Sequence, residues 1–388
     1  MESGIQQRKP HYGAQRAFTF SFFMTTAVIV SYFPLYFQSV GYSTIQIGLL
    51  YSIGPLIGIV SNLFWGIISD KLQTVKKILL VILAAQLVTS FVVFQTANFG
   101  WLMVFMAVFF FFQSPTTSLN DSLTLLNISG TNKSYASFRI WGSIGFAAAS
   151  LFFGLLLQQR GSGLTAILCL FTIGLSLVLS TLLTDGRSQS GKKIQFSGMV
   201  QIVASRQMVL FLLTITVVSV AHRFNDGFLA LFLKQLGADP SIVGWSWMVS
   251  AVSEIPIFFL LSKYGHKYKE LPLLAVCAIV YVVRFLLMSQ VENPLWVIVI
   301  QAMHSISFGI FFFTVIRYIQ RNVPDEFRAT GQAIFAVCWS GVAGLVSGTL
   351  GGWLFRDFGP HVMYGIGAAL SLIAVFGFLF LHYAYKHD

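Results

Sequence analysis

Ionisable side chains interrupt several long apolar runs, and such groups at mid-bilayer depth cost at least about 2.5–3.5 kcal/mol each. In AHRFNDGF, His222 stands four residues before Asp226 and Arg223 three before it. Those spacings place partners on one helix face. Local pairing would satisfy the group, so pinning a helix explains it as well as chemistry does. Glu254 lies in VSAVSEIPIFF without a local cation. A carboxyl isolated this way is suited to taking up and releasing a proton. His304, in QAMHSISFG, has the chemistry of a proton relay or a solute-binding donor, and equally of a packing histidine. Arg284, in YVVRFLL, suits holding a carboxylate or tempering the proton affinity of Glu254. Asp121 follows Asn120 in SPTTSLNDSLTLL, and Arg139 opens SFRIWGSIGF. An arginine so near a span end can also simply snorkel.

Soluble enzyme chemistry finds no support. HExxH, GxSxG and paired-cysteine motifs are absent. Cys169, Cys277 and Cys338 each fall in an apolar run without metal-ligand spacing and read as small buried hydrophobes. Neither a metal nor a cofactor is expected; the energy source would be a proton gradient.

The elements that position these residues must be membrane helices. The chain has 388 residues, 56% hydrophobic and only 10% charged, against about 25% charged in ordinary soluble domains. Apolar runs long enough to span cover 17–38, 45–69, 77–97, 101–127, 134–158 and 164–184, then 208–234, 242–262, 271–290, 295–319, 329–354 and 362–384. The first run follows a polar segment, MESGIQQRKPHYGAQR, and lacks a small-residue cleavage site, so it reads as a retained helix. The net charge of +11 is spread in short clusters between runs rather than along a stripe, which argues against nucleic acid.

With both termini cytoplasmic, inward ends and loops hold Arg8, Lys9, Arg16, Lys71, Lys76, Lys77, Lys133, Arg187, Lys192, Lys193, Arg206, Lys263, Lys267, Lys269, Arg321, Arg328 and Lys386. Outward loops hold only Arg160, Lys234 and Arg356. That asymmetry sets the expected orientation. The expected organisation is an all-α membrane protein of twelve helices in two six-helix bundles, 1–184 and 208–388, joined by a cytoplasmic linker at 185–207. An internal repeat supports the duplication. Gly41 to Gly48 aligns with Gly237 to Gly244, and Tyr51 and Lys71 fall on Trp247 and Lys267. A second block pairs Phe138, Arg139, Gly142 and Phe146 with Phe327, Arg328, Gly331 and Phe335. Parallel repeats of this kind suit two bundles rocking about a central site. Gly66, Asp70 and Lys71, at the inner exit of the second run, read as a gate latch, with Gly66 at a close helix approach.

The Gly66–Asp70–Lys71 pattern resembles the signature of the major facilitator superfamily, although Gln73, Thr74 and Val75 precede the paired bases Lys76 and Lys77. FFQSPTTSLNDSLTLL with SYASFRIWGSIGF, Glu254-Ile-Pro, and HSISFG resemble the phenylpropionate permease-like branch, which is similar to the lactose permease and nucleoside–proton symporter groups. The resemblance covers essentially the whole chain. It implies solute contacts from Asp121 and Arg139, and proton and solute contacts from Glu254, Arg284 and His304. A further carboxylate, one turn past the histidine in the lactose permease group, is Ser307 here, which moves its burden to Glu254.

Proton coupling is thus expected of Glu254, His304 and Asp226, and solute binding of Asp121, Arg139, Arg284, Asn120 and His222. The expected activity is proton-coupled symport of a small organic solute, whether aromatic carboxylate, sugar or nucleoside, by a monomer in the bacterial cytoplasmic membrane. The rival is a proton-coupled drug or lipid exporter. Against it, GSIGFAAASLFFG lacks the proline of drug-antiporter motifs. A non-transporting sensor or enzyme is the remote alternative.

Overall fold

A computed structural model describes residues 11–185, 205–324 and 327–385. Arg8, Lys9, Arg187, Lys192, Lys193, Lys386 and most of the expected linker lie outside the described residues. Within them, twelve helices are long and apolar enough to cross a membrane. Spans one to six are Tyr12–Ser39, Thr44–Leu72, Lys76–Gln95, Phe99–Ile128, Ala136–Arg160 and Leu164–Thr181. Spans seven to twelve are Arg206–Gln235, Pro240–Leu261, Glu270–Met288, Pro294–Asn322, Thr330–Asp357 and Gly359–Ala384. Each apolar run in the sequence falls on one helix. Span one starts earlier than hydropathy suggests, and one polar residue ties its first turn into the protein: buried Gln15 donates to Asn120 Oδ1 at 3.0 Å and Thr124 Oγ1 at 2.9 Å.

Local sequence explains several helix starts. Ser43 caps span two in a box with Gln46, Asn98 accepts from the Trp101 amide, and Ser205 accepts from the Met208 amide. At the start of span three the cap comes from far away. Asp185, just after span six, accepts from the Val75 and Lys76 amides at 3.1 and 3.0 Å and from the Thr74 hydroxyl. Lys76 Nζ in turn donates to the Thr181 carbonyl at 2.6 Å, closing the end of span six. The carboxylate sits where the helix dipole favours it, and so does the ammonium.

Span one packs on spans five and six, and span three on four and six; span twelve packs on nine and seven, and span seven on eleven. The halves meet where span five crosses eight, span two crosses eleven and span one crosses seven. Glycines set these crossings. A Cβ on Gly348 would lie 2.5 Å from the Gly48 carbonyl oxygen and 2.7 Å from Ser52 Cβ. One on Gly154 would lie 2.8 Å from the Pro240 carbonyl, and Gly48 and Gly244 abut the Gly348 and Ser150 carbonyls even more closely. The first repeat block is therefore visible in the backbone. Gly41 and Gly237 both turn with positive φ, 101° and 79°, and Gly48 and Gly244 are each pressed on a backbone of the opposite half.

Gly66 departs from expectation. A side chain there would meet nothing within 4 Å, so no close helix approach exists at this glycine in the structure. Asp70 and Lys71 are exposed beside it. All three cysteines are free; Cys169 and Cys277 are buried. Large apolar side chains such as Phe91, Phe171, Leu213, Ile373 and Phe376 are exposed all round the helices, a surface that only lipid satisfies.

Candidate functional site

Inside spans seven to ten, four charged side chains and two histidines converge. On span seven, His222 Nε2 lies 3.4 Å from Asp226 Oδ2 and Arg223 Nη1 lies 3.9 Å from the same oxygen. The i+3 and i+4 spacings thus pair as expected. Arg223 also donates through Nη2 to Ser340 Oγ on span eleven at 3.0 Å. His222 Nδ1 meets the Tyr281 hydroxyl at 3.1 Å.

On span eight, Glu254 has no cation within a turn of it on its own helix, yet its Oε1 is 2.9 Å from His304 Nε2 of span ten. The other ring nitrogen, His304 Nδ1, is 3.1 Å from Arg284 Nη1 of span nine. A guanidinium has only donors. His304 Nδ1 must therefore accept, which leaves the ring proton on Nε2, aimed at Glu254. The contacts of one arginine fix the tautomer of the histidine and the direction of its hydrogen bond. Arg284 itself is wholly buried and also donates to Ser307 Oγ at 3.3 Å and to Gln301 Oε1. Among the described residues, no carboxylate lies within ion-pair distance of it.

The two histidine–carboxylate pairs are held against one another by aromatic packing. Phe308 stacks on His222 at 4.9 Å with planes 9° apart and on His304 at 4.9 Å and 22°. The two imidazoles are 5.5 Å apart, and Trp339 closes the group 5.1 Å from His222. Backbone geometry contributes: Ser305–Ile310 on span ten and Val337–Val342 on span eleven are π-helical turns. One carries Ser307 and Phe308, the other Trp339 and Ser340. Single π turns inside α-helices recur at functional sites. A small cavity of about 40 Å³ adjoins the group, lined by Arg223 and Asp226 of span seven, Gly344 and Ser347 of span eleven, and Tyr51 and Pro55 of span two. It touches both halves of the chain.

The expected residues thus divide. His222, Asp226, Glu254, Arg284 and His304 come together. Asp121 and Arg139 form a second group with Tyr135, which faces both, and the Arg139 guanidinium lies 4.2 Å over the Phe23 ring. Among the described residues, no hydrogen bond or ion pair joins this group to the first. Asn120 touches Asp121 of this second group through its side chain, but its other contacts lie elsewhere. Its Oδ1 accepts from Gln15 and from Thr19 Oγ1 at 3.1 Å, and it is 1% exposed, so it knots span four to span one. Gln301, Tyr281, Ser340, Phe308 and Trp339 carry no charge and escaped notice. The only available signal was Gln301, a polar residue in an apolar run three before His304.

Twelve apolar helices with a buried, mixed-charge aromatic site among spans seven to ten describe a multi-pass membrane protein. The chain belongs to the MFS_1 like family, whose profile matches residues 13–366. It is 25% identical over 366 residues to a probable 3-phenylpropionic acid transporter of Escherichia coli (strain K12), covering 92% of this chain and 94% of that one. The uncharacterized transporter YwbF of Bacillus subtilis (strain 168) is 26% identical, covering 96% and 93%. The crystal structure of the nucleoside transporter NupG superposes with a TM-score of 0.82 at 17% identity, covering 97% of this chain and 99% of that one. The fold is accordingly that of the major facilitator superfamily, and the protein is a secondary transporter related to nucleoside, sugar and phenylpropionate permeases.

Proposed function

We propose that this chain is a proton-coupled symporter of a small aromatic carboxylate, working by alternating access between two six-helix bundles, 1–184 and 208–388, with both termini cytoplasmic. The observation that carries the reading is the contact series Glu254–His304–Arg284. Because Arg284 occupies His304 Nδ1, the histidine has no free lone pair for an incoming proton, and Glu254 is the group that takes it. A charge count favours an anionic solute. With both carboxylates ionised, Asp226 and Glu254 balance Arg223 and Arg284. A proton on Glu254 leaves one uncompensated positive charge, and a buried charge is tolerated only when paired. A monoanion restores neutrality, and loss of the proton restores the internal balance and releases it. Phe308 and Trp339, 5.8 Å apart, make the surroundings of the site aromatic, which suits an aromatic body. Asp121 and Arg139 contribute solute contacts from the first bundle, and Asp70 and Lys71 act at the inner gate in the opposite conformation.

The test is uptake into proteoliposomes under an imposed inward proton gradient. Accumulation of a labelled aromatic carboxylate is expected, and Glu254→Gln should abolish uphill transport while sparing counterflow. Unchanged uphill transport by Glu254→Gln removes Glu254 from the cycle. Gradient-driven depletion of preloaded solute would identify an exporting antiporter instead.

A further inference from the structure

We infer that Gln301 is a positioning residue that sets the pH range of transport by holding Arg284 on His304. The inference rests on the proton-coupled reading above and deepens it. Gln301 is completely buried on span ten and touches three other helices. Its Oε1 accepts from Arg284 Nη2 on span nine, its Nε2 donates to Asn225 Oδ1 on span seven at 3.3 Å, and Ser250 Oγ on span eight donates to Oε1 at 3.4 Å. Asn225 Oδ1 is in turn reached by the Tyr364 hydroxyl of span twelve at 3.4 Å. An amide suits this place because it accepts on one side and donates on the other without adding charge. A carboxylate there would neutralise Arg284 and unbalance the site. An apolar side chain would leave the guanidinium without the acceptor that aims it.

The consequence runs along the contacts. Gln301 holds Nη2 while Nη1 meets His304 Nδ1 and Ser307 Oγ, so its loss frees the guanidinium to turn away from the ring. With that donor in place His304 keeps its Nε2–H towards Glu254, and a donated hydrogen bond stabilises the ionised carboxylate. Glu254 is faced by His304 from span ten, by Tyr281 and, beyond the imidazole, Arg284 from span nine, and by Asp226, with its partners His222 and Arg223, from span seven. Gln301 is the neutral member that orders the cationic side of this set. Without it the imidazole samples both tautomers, the ionised carboxylate loses its donor part of the time, and proton-loaded transporter persists to higher pH.

The experiment compares wild type, Gln301→Leu and Gln301→Met in proteoliposomes, measuring proton-driven uptake of labelled 3-phenylpropionate from pH 5 to about 9, with counterflow as the folding control. The alkaline limb is expected to move up by about one pH unit in the variants, the effect of losing one hydrogen bond to a charged group. Methionine keeps the length of the side chain, so it supplies the reading if leucine disturbs the fold. A variant with wild-type counterflow and an unchanged or downward-shifted limb overturns the inference. Absence of proton-driven uptake by wild type would instead overturn the symport reading on which it stands.

Discussion

Gly348→Ala tests how the halves close on each other. In the structure its Cβ would lie 2.5 Å from the Gly48 carbonyl oxygen and 2.7 Å from Ser52 Cβ, whereas comfortable contacts lie near 3.5 Å. Spans two and eleven must therefore separate by about 1 Å at this point. Both neighbours are backbone or the first side-chain atom, so neither can swing away. Overpacking of this kind costs about 1–3 kcal/mol, a factor of about 5–150 in an equilibrium between conformations. The cost applies only while the crossing is closed. Nitroxides at Ser43 and Phe358, which flank the same ends of spans two and eleven, would report the separation by double electron–electron resonance in a variant lacking the native cysteines. The ratio of longer- to shorter-distance populations should rise by that factor while the protein stays folded. A distance distribution and Tm both equal to those of the parent would refute the argument that this crossing depends on a missing Cβ.

Three further outcomes follow from named contacts. Asn120→Ala should lower stability by about 1–3 kcal/mol, because it strips the acceptor from Gln15 and Thr19 in a buried knot, and it should leave the KM for solute unchanged; a selective KM effect would return Asn120 to the binding site. Asp185→Ala removes the cap of span three and should cost about 0.5–2 kcal/mol in a thermal-shift assay, with transport per folded molecule preserved. Phe308→Ala should raise KM for an aromatic carboxylate about 2- to 10-fold, the worth of one ring–ring contact, and change KM for a non-aromatic carboxylate much less; equal effects on both solutes would show that the ring serves packing alone.

The helices were legible because lipid demands long apolar runs, and a dozen of them leave little ambiguity. Pro34, Pro55 and Pro256 did not mislead, since each lies within a continuous helix. The repeat was legible at Gly41 and Gly237, where positive φ enforces glycine. Charge inside apolar runs led to Glu254, Arg284 and His304, and the burial cost of charge is the reason that signal is strong. What linear order does not encode is which helix lies beside which. Asn120 and Asp121 are adjacent in sequence, yet one serves a knot with span one and the other faces Tyr135. Ser340 is neutral and unmarked, Gln301 stands out only as a polar residue in an apolar run, and packing alone reveals that each holds an arginine. The π turns at 305–310 and 337–342 are equally silent, because apolar periodicity over six residues cannot separate 3.6 from 4.4 residues per turn. At Gly66 a motif suggested contact and the structure has open space.

The glycine crossings carry a thermodynamic consequence. Where Gly48 meets Gly348 and Gly244 meets Ser150, backbone lies directly on backbone. Closing such a surface freezes no rotamers at the glycines, whereas a seam of long side chains would lose up to about 2 kcal/mol per residue in ordering. It also offers no deep side-chain pocket to trap the closed form. The open and closed arrangements can thus stay close in free energy, and a two-state equilibrium so poised responds to a modest difference in ligand affinity. In the cycle proposed above, a single proton and one small solute would then suffice to turn the molecule over.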